Sequence, residues 1–277
     1  MFDVFGKPLE ILQSKKVFLL DMDGTLYIDD SLIDGTLDLI DTLHREGRRS
    51  IYVTNNSSRS VNDYVAKLGR MGIKSSADEF FTSSMAMALY LCRKYPQKKT
   101  YCMGTRSLIQ ELMDKGIRVT DEYSEDVEVV VLGYDTELTY RKLEDVCRLL
   151  KKDLPYLATN PDWVCPVSYG FAPDCGSMAE MIAHATGKHP QFIGKPEPMI
   201  LLEALRKWNA QPKDAVVVGD RLYTDIQSGL NAGITTLAVL SGETSLEDIA
   251  HSSGKPDFVI PSVRRLADLL IQGKHPR

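Results

Sequence analysis

Long apolar runs are missing from this 277-residue chain. Stretches such as Val17–Leu20 and Val129–Leu132 hold four residues each, and nothing approaches the roughly 20 that a membrane-spanning helix requires. Cysteine is scarce and odd in number, five residues with no C-x-x-C pair. That count speaks against a disulfide framework or a zinc site and for reduced thiols in the cytoplasm. The start, Met1-Phe2-Asp3, lacks a basic segment followed by an apolar one, so no secretory signal is expected. Charge is not concentrated: 33 Lys and Arg against 38 Asp and Glu give −5, without a long block of either sign. A dedicated nucleic-acid or anionic-membrane surface is therefore not expected. No G-x-G-x-x-G follows an apolar run, which sets aside a dinucleotide oxidoreductase. What is present is 43% hydrophobic residues and a length of about 1.8 times a 150-residue unit, enough for two compact cores.

Short aliphatic runs alternate with longer amphipathic stretches, the pattern of parallel strands joined by helices. Strands are expected at Val17–Leu20, Ser50–Val53, Lys99–Cys102, Val127–Leu132, Tyr156–Ala158, Gln191–Ile193, Ala215–Val218 and Thr235–Val239. Over Tyr140–Lys152, Leu143, Val146, Cys147, Leu149 and Leu150 recur at three- and four-residue spacing and predict a helix. No Pro/Gly/Ser linker divides the chain, so an insertion fits better than two successive domains. If the strands ending near Asp21, Thr54, Ile193, Gly219 and Leu240 share one sheet, residues 1–83 and 181–277 form a discontinuous core and residues 84–180 a smaller inserted α/β unit.

Ligands of open α/β sheets bind beyond the carboxyl ends of the strands, so the polar residues there carry the chemistry. After Val17–Leu20 come Asp21 and Asp23, one residue apart and followed by Gly24. Like charges about 4 Å apart repel by roughly 4 kcal/mol at an effective dielectric near 20. A hard divalent cation such as Mg2+, or a proton shared unequally between them, would offset that repulsion. A plain turn uses the same residue types. Thr54, Asn55 and Asn56 follow the second strand and can donate hydrogen bonds to phosphate oxygens, or cap a helix. Lys195 precedes Pro196, which reads as a first helical position, so its charge would add to a helix N-terminus unless an anion binds there. Asp220 follows Ala215–Gly219 and is placed for a metal. Asp225 is ambiguous, because Thr224-x-x-Gln227 has the form of a capping box; metal support, directly or through water, is the favoured role.

In this order the motifs resemble the haloacid dehalogenase superfamily: D-M-D-G-T at 21–25, Thr54 with Asn55-Asn56, the G-K-P-E-P lysine at 195, and G-D-x4-D at 219–225. The insertion is similar to that superfamily's large α/β cap, and the chain looks like its NagD-like, 4-nitrophenylphosphatase branch along nearly its whole length. The resemblance implies a Rossmann-like parallel core with helices on both faces, an inserted cap, and a Mg2+-dependent phosphatase. By resemblance, Asp21 forms an aspartyl-phosphate while Asp23 serves as acid and then base. Mg2+ is held by the Asp21 carboxylate, the Asp23 carbonyl and Asp220 with Asp225 supporting, and Thr54, Asn55, Asn56 and Lys195 hold the phosphoryl group. Pro161 to Trp163 face the site, and Trp163 is a candidate to stack on the substrate.

The partner expected is a small phosphorylated metabolite, such as a sugar phosphate or nucleotide, with neither nucleic acid nor membrane; a homodimer is left open. Two other readings stand beside the phosphatase: a phosphomutase that reuses the aspartyl-phosphate, and a phosphometabolite-binding sensor without turnover.

Overall fold

The computed structural model describes residues 1–167 and 169–273. Its central feature is a six-stranded parallel sheet, in the spatial order Phe258–Ile260, Thr235–Val239, Ala215–Gly219, Val17–Leu20, Arg49–Thr54 and Phe80–Thr82. The side-chain period of two sends Phe18 and Leu20 to one apolar cluster and Val17 and Leu19 to the other. Both faces are covered by helices, which is why these strands read as unbroken apolar runs rather than alternating ones. The helices Thr36–Arg45 and Val263–Gln272 pack on the first face, and Ser83–Lys94 and Met199–Lys207 on the second. The edge strands Phe80–Thr82 and Phe258–Ile260 hold three residues each, too few to stand out as a periodic signal.

A second parallel sheet has the order Gln191–Phe192, Tyr156–Ala158, Val129–Leu132, Thr100–Met103 and Val119–Thr120. An antiparallel hairpin, Val164–Val167 with Gly170–Pro173, projects beside it. One expectation is corrected here: the short strand before Gly194 pairs with Leu157 and Ala158, not with the first sheet. The helix Cys175–Thr186 returns the chain parallel to Tyr156–Ala158, and the pairing continues as Ile193 and Gly194 donate N–H bonds to Ala158 and Thr159. The helix expected over 140–152 runs from Tyr140 to Leu149, capped by Thr139. Among the described residues, no helix is long and apolar enough to cross a membrane.

The two sheets are not separated by water. Cys102, Val129, Val131 and Leu157 of the second sheet share one buried cluster with Leu19, Ile51 and Val53 of the first, with Ala86, Met87 and Leu108 between them. Glu111, on the helix Arg106–Asp114, lies at the margin of this layer with its Oε2 buried and without a hydrogen bond. Burial pushes its carboxyl up to about 7, against the pull of Lys115. Between the ordinary value of 4.5 and about 7 the folded chain then binds more protons than the unfolded one, so stability falls as pH rises through that window. Glu111→Gln is expected to reduce the loss of unfolding free energy between pH 5 and pH 8 by about 1–3 kcal/mol. Urea melts of both proteins at the two pH values measure this, and an unaltered pH dependence would refute it.

Candidate active site

The chain leaves Val17–Leu20 with its sequence neighbour Arg49–Thr54 on one side and Ala215–Gly219 on the other, so the sheet order reverses there. That switch point is where an open α/β sheet forms its crevice. Asp21 extends the strand, its N–H bonding to the Val218 carbonyl at 2.9 Å. Asp220 sits directly alongside, its Oδ2 accepting from the Glu243 N–H at 2.8 Å and its Oδ1 from the Thr25 hydroxyl at 3.3 Å. Gly24 has φ +88°, and a Cβ there would lie 2.5 Å from Asp220 Oδ2. The glycine after Asp23 is thus required by both backbone and neighbour.

Lys195 reaches into this crevice. Its Nζ donates to Asp21 Oδ1 at 2.7 Å, Asp225 Oδ1 at 2.6 Å and the Val53 carbonyl at 3.1 Å, which uses all three ammonium protons. The helix-terminus expectation for Lys195 is corrected, because the following helix starts at Met199 with Pro198 at its cap. The lysine charge is offset by carboxylates instead. Nor does Thr224 form the capping box read for Asp225: residues 222–226 make a wide turn, the helix Gln227–Ala232 starts after it, and no side chain caps it. The Asp225 carboxylate is spanned by Lys195 and the Arg221 N–H, the latter at 3.1 Å. Oxygen atoms of Asp21, Asp220 and Asp225 lie within 4.8 Å of one another.

Charge crowding moves these groups off their ordinary values. Burial, followed by the Asp225 charge, raises Asp21 well above the usual carboxylate range despite Lys195. Burial and Asp225 push Asp220 up to about 7. Burial works against the Lys195 charge, but Asp21 and Asp225 outweigh it and hold the amine above its normal range. Asp23 is also raised by burial, against the opposing pull of Lys67. Its Oδ2 accepts from the Tyr27 hydroxyl at 3.4 Å, while Lys67 Nζ lies 3.9 Å from Oδ1 and 3.9 Å from the centre of the Tyr27 ring. Lys67 carries no sequence signal; it comes from the helix Val61–Arg70 and belongs to no motif.

Thr54 and Asn56 line the cavity at the end of Arg49–Thr54, joined by a bond from the Asn56 N–H to Thr54 Oγ1 at 3.1 Å. Asn55 also lines the cavity, and its side chain is held by its neighbours. Its Oδ1 accepts from the Lys195 N–H at 2.8 Å, and its Nδ2 donates to the Lys195 carbonyl at 3.0 Å and to Asp162 Oδ2 at 2.7 Å. Asp162 is buried, takes a further bond from Asn160 at 2.8 Å and is ion-paired with Arg221. Arg221 also donates to the Val164 carbonyl at 3.1 Å and pairs with Glu243 at 2.9 Å. Trp163 is 52% exposed, and the cavity lining includes Asp162 rather than the indole. Sequence reasoning gave Asp162 only a place within the 161–163 segment facing the site and passed over Arg221, although each follows a strand end and the same rule that found Asp220 points to them.

A haloacid dehalogenase-like hydrolase model matches residues 18–118, and a HAD-hydrolase-like model matches residues 192–266. The acid sugar phosphatase of Staphylococcus aureus (strain MRSA252) is 35% identical over 247 residues, 89% of this chain and 95% of that protein. The chain belongs to the haloacid dehalogenase-like hydrolases. Among solved structures, a 4-nitrophenylphosphatase from Thermotoga maritima has a TM-score of 0.88 at 38% identity, covering 94% of this chain and 99% of its own. A glycerol phosphate phosphatase from Mycobacterium tuberculosis, solved in complex with magnesium, has a TM-score of 0.86 at 29% identity and covers 94% and 79%.

Within this haloacid dehalogenase-like crevice, the Asp162–Arg221 pair ties the 159–164 loop to the strand-end residues. Removing one partner of a buried pair strands the other charge, at a cost of about 3–5 kcal/mol. Asp162→Ala is expected to destabilise by that amount, and Asp162→Ala with Arg221→Met by clearly less than the two single losses added. Chemical denaturation of the four proteins in a double-mutant cycle tests the coupling, and strict additivity would show that the pair is not coupled.

Proposed function

We propose that this protein is a Mg2+-dependent phosphomonoesterase that hydrolyses small phosphorylated metabolites through an aspartyl-phosphate on Asp21. The observation that carries the reading is the meeting of Asp21, Asp220 and Asp225 with Lys195 at the switch point of the sheet. Three carboxylates against one ammonium leave a formal charge of −3 + 1 = −2, and their oxygen donors suit a hard divalent cation. Asp21 and Asp220, with the Asp23 carbonyl and Asp225 in support, would hold Mg2+. Bound there, the ion would neutralise charge on the phosphoryl oxygens. The three relatives named above are phosphatases, which favours hydrolysis over a mutase or a sensor.

The residues divide the work as follows. The Asp21 carboxylate attacks phosphorus and the ester P–O bond breaks. Asp23, whose burial favours the protonated form, gives its proton to the leaving alkoxide. It then takes a proton from the water that splits the aspartyl-phosphate, which releases inorganic phosphate and regenerates Asp21. Lys195 orients Asp21 and offsets charge, and Thr54 and Asn56 offer donors to the phosphoryl oxygens. Asn55 acts by fixing the Lys195 main chain, so any contact it makes to phosphate runs through its own main chain. Trp163 stays outside the reacting centre. The inserted unit built on the second sheet serves as the cap, with Asp162 of its 159–164 loop at the cavity. The five free cysteines support a cytoplasmic setting.

Purified protein with Mg2+ is expected to hydrolyse 4-nitrophenyl phosphate, and Asp21→Asn to lose about a thousandfold or more in kcat. A wild-type rate in that variant would remove Asp21 as nucleophile. Asp23→Asn is expected to slow glycerol 3-phosphate about 100-fold or more and 4-nitrophenyl phosphate by a smaller factor, because 4-nitrophenolate leaves without needing a proton. Equal losses on the two substrates would take the leaving-group proton away from Asp23.

A further inference from the structure

The wall of the cavity opposite Asp21 is supplied by the second unit and is acidic. Asp162, Cys165, Pro166 and Asp174 line it. Asp162 is satisfied on both oxygens by Arg221, Asn55 and Asn160. Asp174 is not. It is 3% exposed and caps the helix Cys175–Thr186, its Oδ1 accepting from the Cys175 N–H at 2.5 Å and from Asn160 at 3.0 Å. Among the described residues no donor to its Oδ2 is found, and Asp174 lines the cavity.

The cations of the cavity cannot compensate. Of the described residues that line it, only Lys195 and Arg221 are basic. Lys195 has spent its three protons on Asp21, Asp225 and Val53, and Arg221 is engaged by Asp162, Glu243 and the Val164 carbonyl. Burial and the Asp162 charge push the Asp174 carboxyl up to about 7, so above that pH a substrate anion beyond the scissile phosphoryl group would meet a carboxylate without a free counter-charge. A hydroxyl in the same place would find an open acceptor.

Resting on the phosphatase reading, we propose that Asp174 sorts substrates by the charge of the leaving group. It accepts a hydrogen bond from a hydroxyl of a neutral polyol or sugar and repels an ester that carries a second anionic group. Polyol and sugar monophosphates are hydrolysed, and their carboxylate-bearing counterparts are refused.

The test compares kcat/KM for matched pairs, glycerol 3-phosphate against 3-phosphoglycerate and glucose 6-phosphate against 6-phosphogluconate, with 4-nitrophenyl phosphate as the activity standard. The wild-type protein is expected to prefer the neutral member of each pair by about 30- to 100-fold. Asp174→Asn removes the charge and keeps a good helix cap, and Asp174→Ser is a second variant that also caps. Both are expected to narrow the ratio about tenfold. A wild-type preference below about threefold, or one that survives both substitutions, overturns the inference while 4-nitrophenyl phosphate is still hydrolysed. No hydrolysis of 4-nitrophenyl phosphate by the wild-type protein overturns the phosphatase reading and this inference with it.

Discussion

A lysine ammonium shut away from water must be matched by charge and by acceptors, and that demand organises the centre of this protein. Lys195 is 2% exposed, and an unpaired ion in that position would cost several kcal/mol. The match is made by Asp21 and Asp225, which come from opposite ends of the sequence relative to it. For both carboxylates to reach one nitrogen, the strand before Asp21 and the strand before Asp220 must be neighbours, and the chain before Lys195 must cross above the Thr54 end of the sheet. Asn55 fixes the last of these by holding both sides of the Lys195 main chain.

The same centre shows why the crevice calls for a cation. Lys195 balances one negative charge, and the Asp225 charge raises the proton affinity of both Asp21 and Asp220. Hard oxygen donors and excess negative charge are what a small divalent cation requires, which is why the proposed Mg2+ is placed here. The glycines on either side serve that crowding. A side chain at Gly24 or Gly242 would collide with Asp220.

The second unit is bound to the first by two kinds of force. An apolar layer runs continuously from one sheet to the other through the helices Ser83–Lys94 and Arg106–Asp114. At the rim a polar bridge, Asn55 to Asp162 to Arg221, brings the 159–164 loop over the strand ends. The first force holds the bodies together without direction, and the second sets the orientation of one loop. In the proposed reading, chemistry belongs to the first unit, and whatever distinguishes one leaving group from another belongs to the second.

Much of this was written in the chain itself. The apolar runs Val17–Leu20 and Ala215–Val218 are long enough, and bounded sharply enough by Asp21 and Gly219, that strands buried on both faces followed from local composition. The carboxylates beyond them followed from the rule that ligands lie past strand ends. The three-residue edge strands and the Gln191–Phe192 pairing were not legible, because two or three residues carry no period and their partners are chosen by what packs above them. Lys67 and Arg221 escaped for a related reason: a lone polar residue acquires a role only from the side chain across from it. The sequence by itself determined which elements form and where acids follow strands, since both depend on residues a few positions apart. Only the tertiary structure decided that Lys195 is shared by Asp21 and Asp225, that the Asn55 side chain braces the Lys195 main chain, and that Asp162 and Asp174 rather than Trp163 line the cavity, since burial and charge pairing act between residues brought together only by the fold.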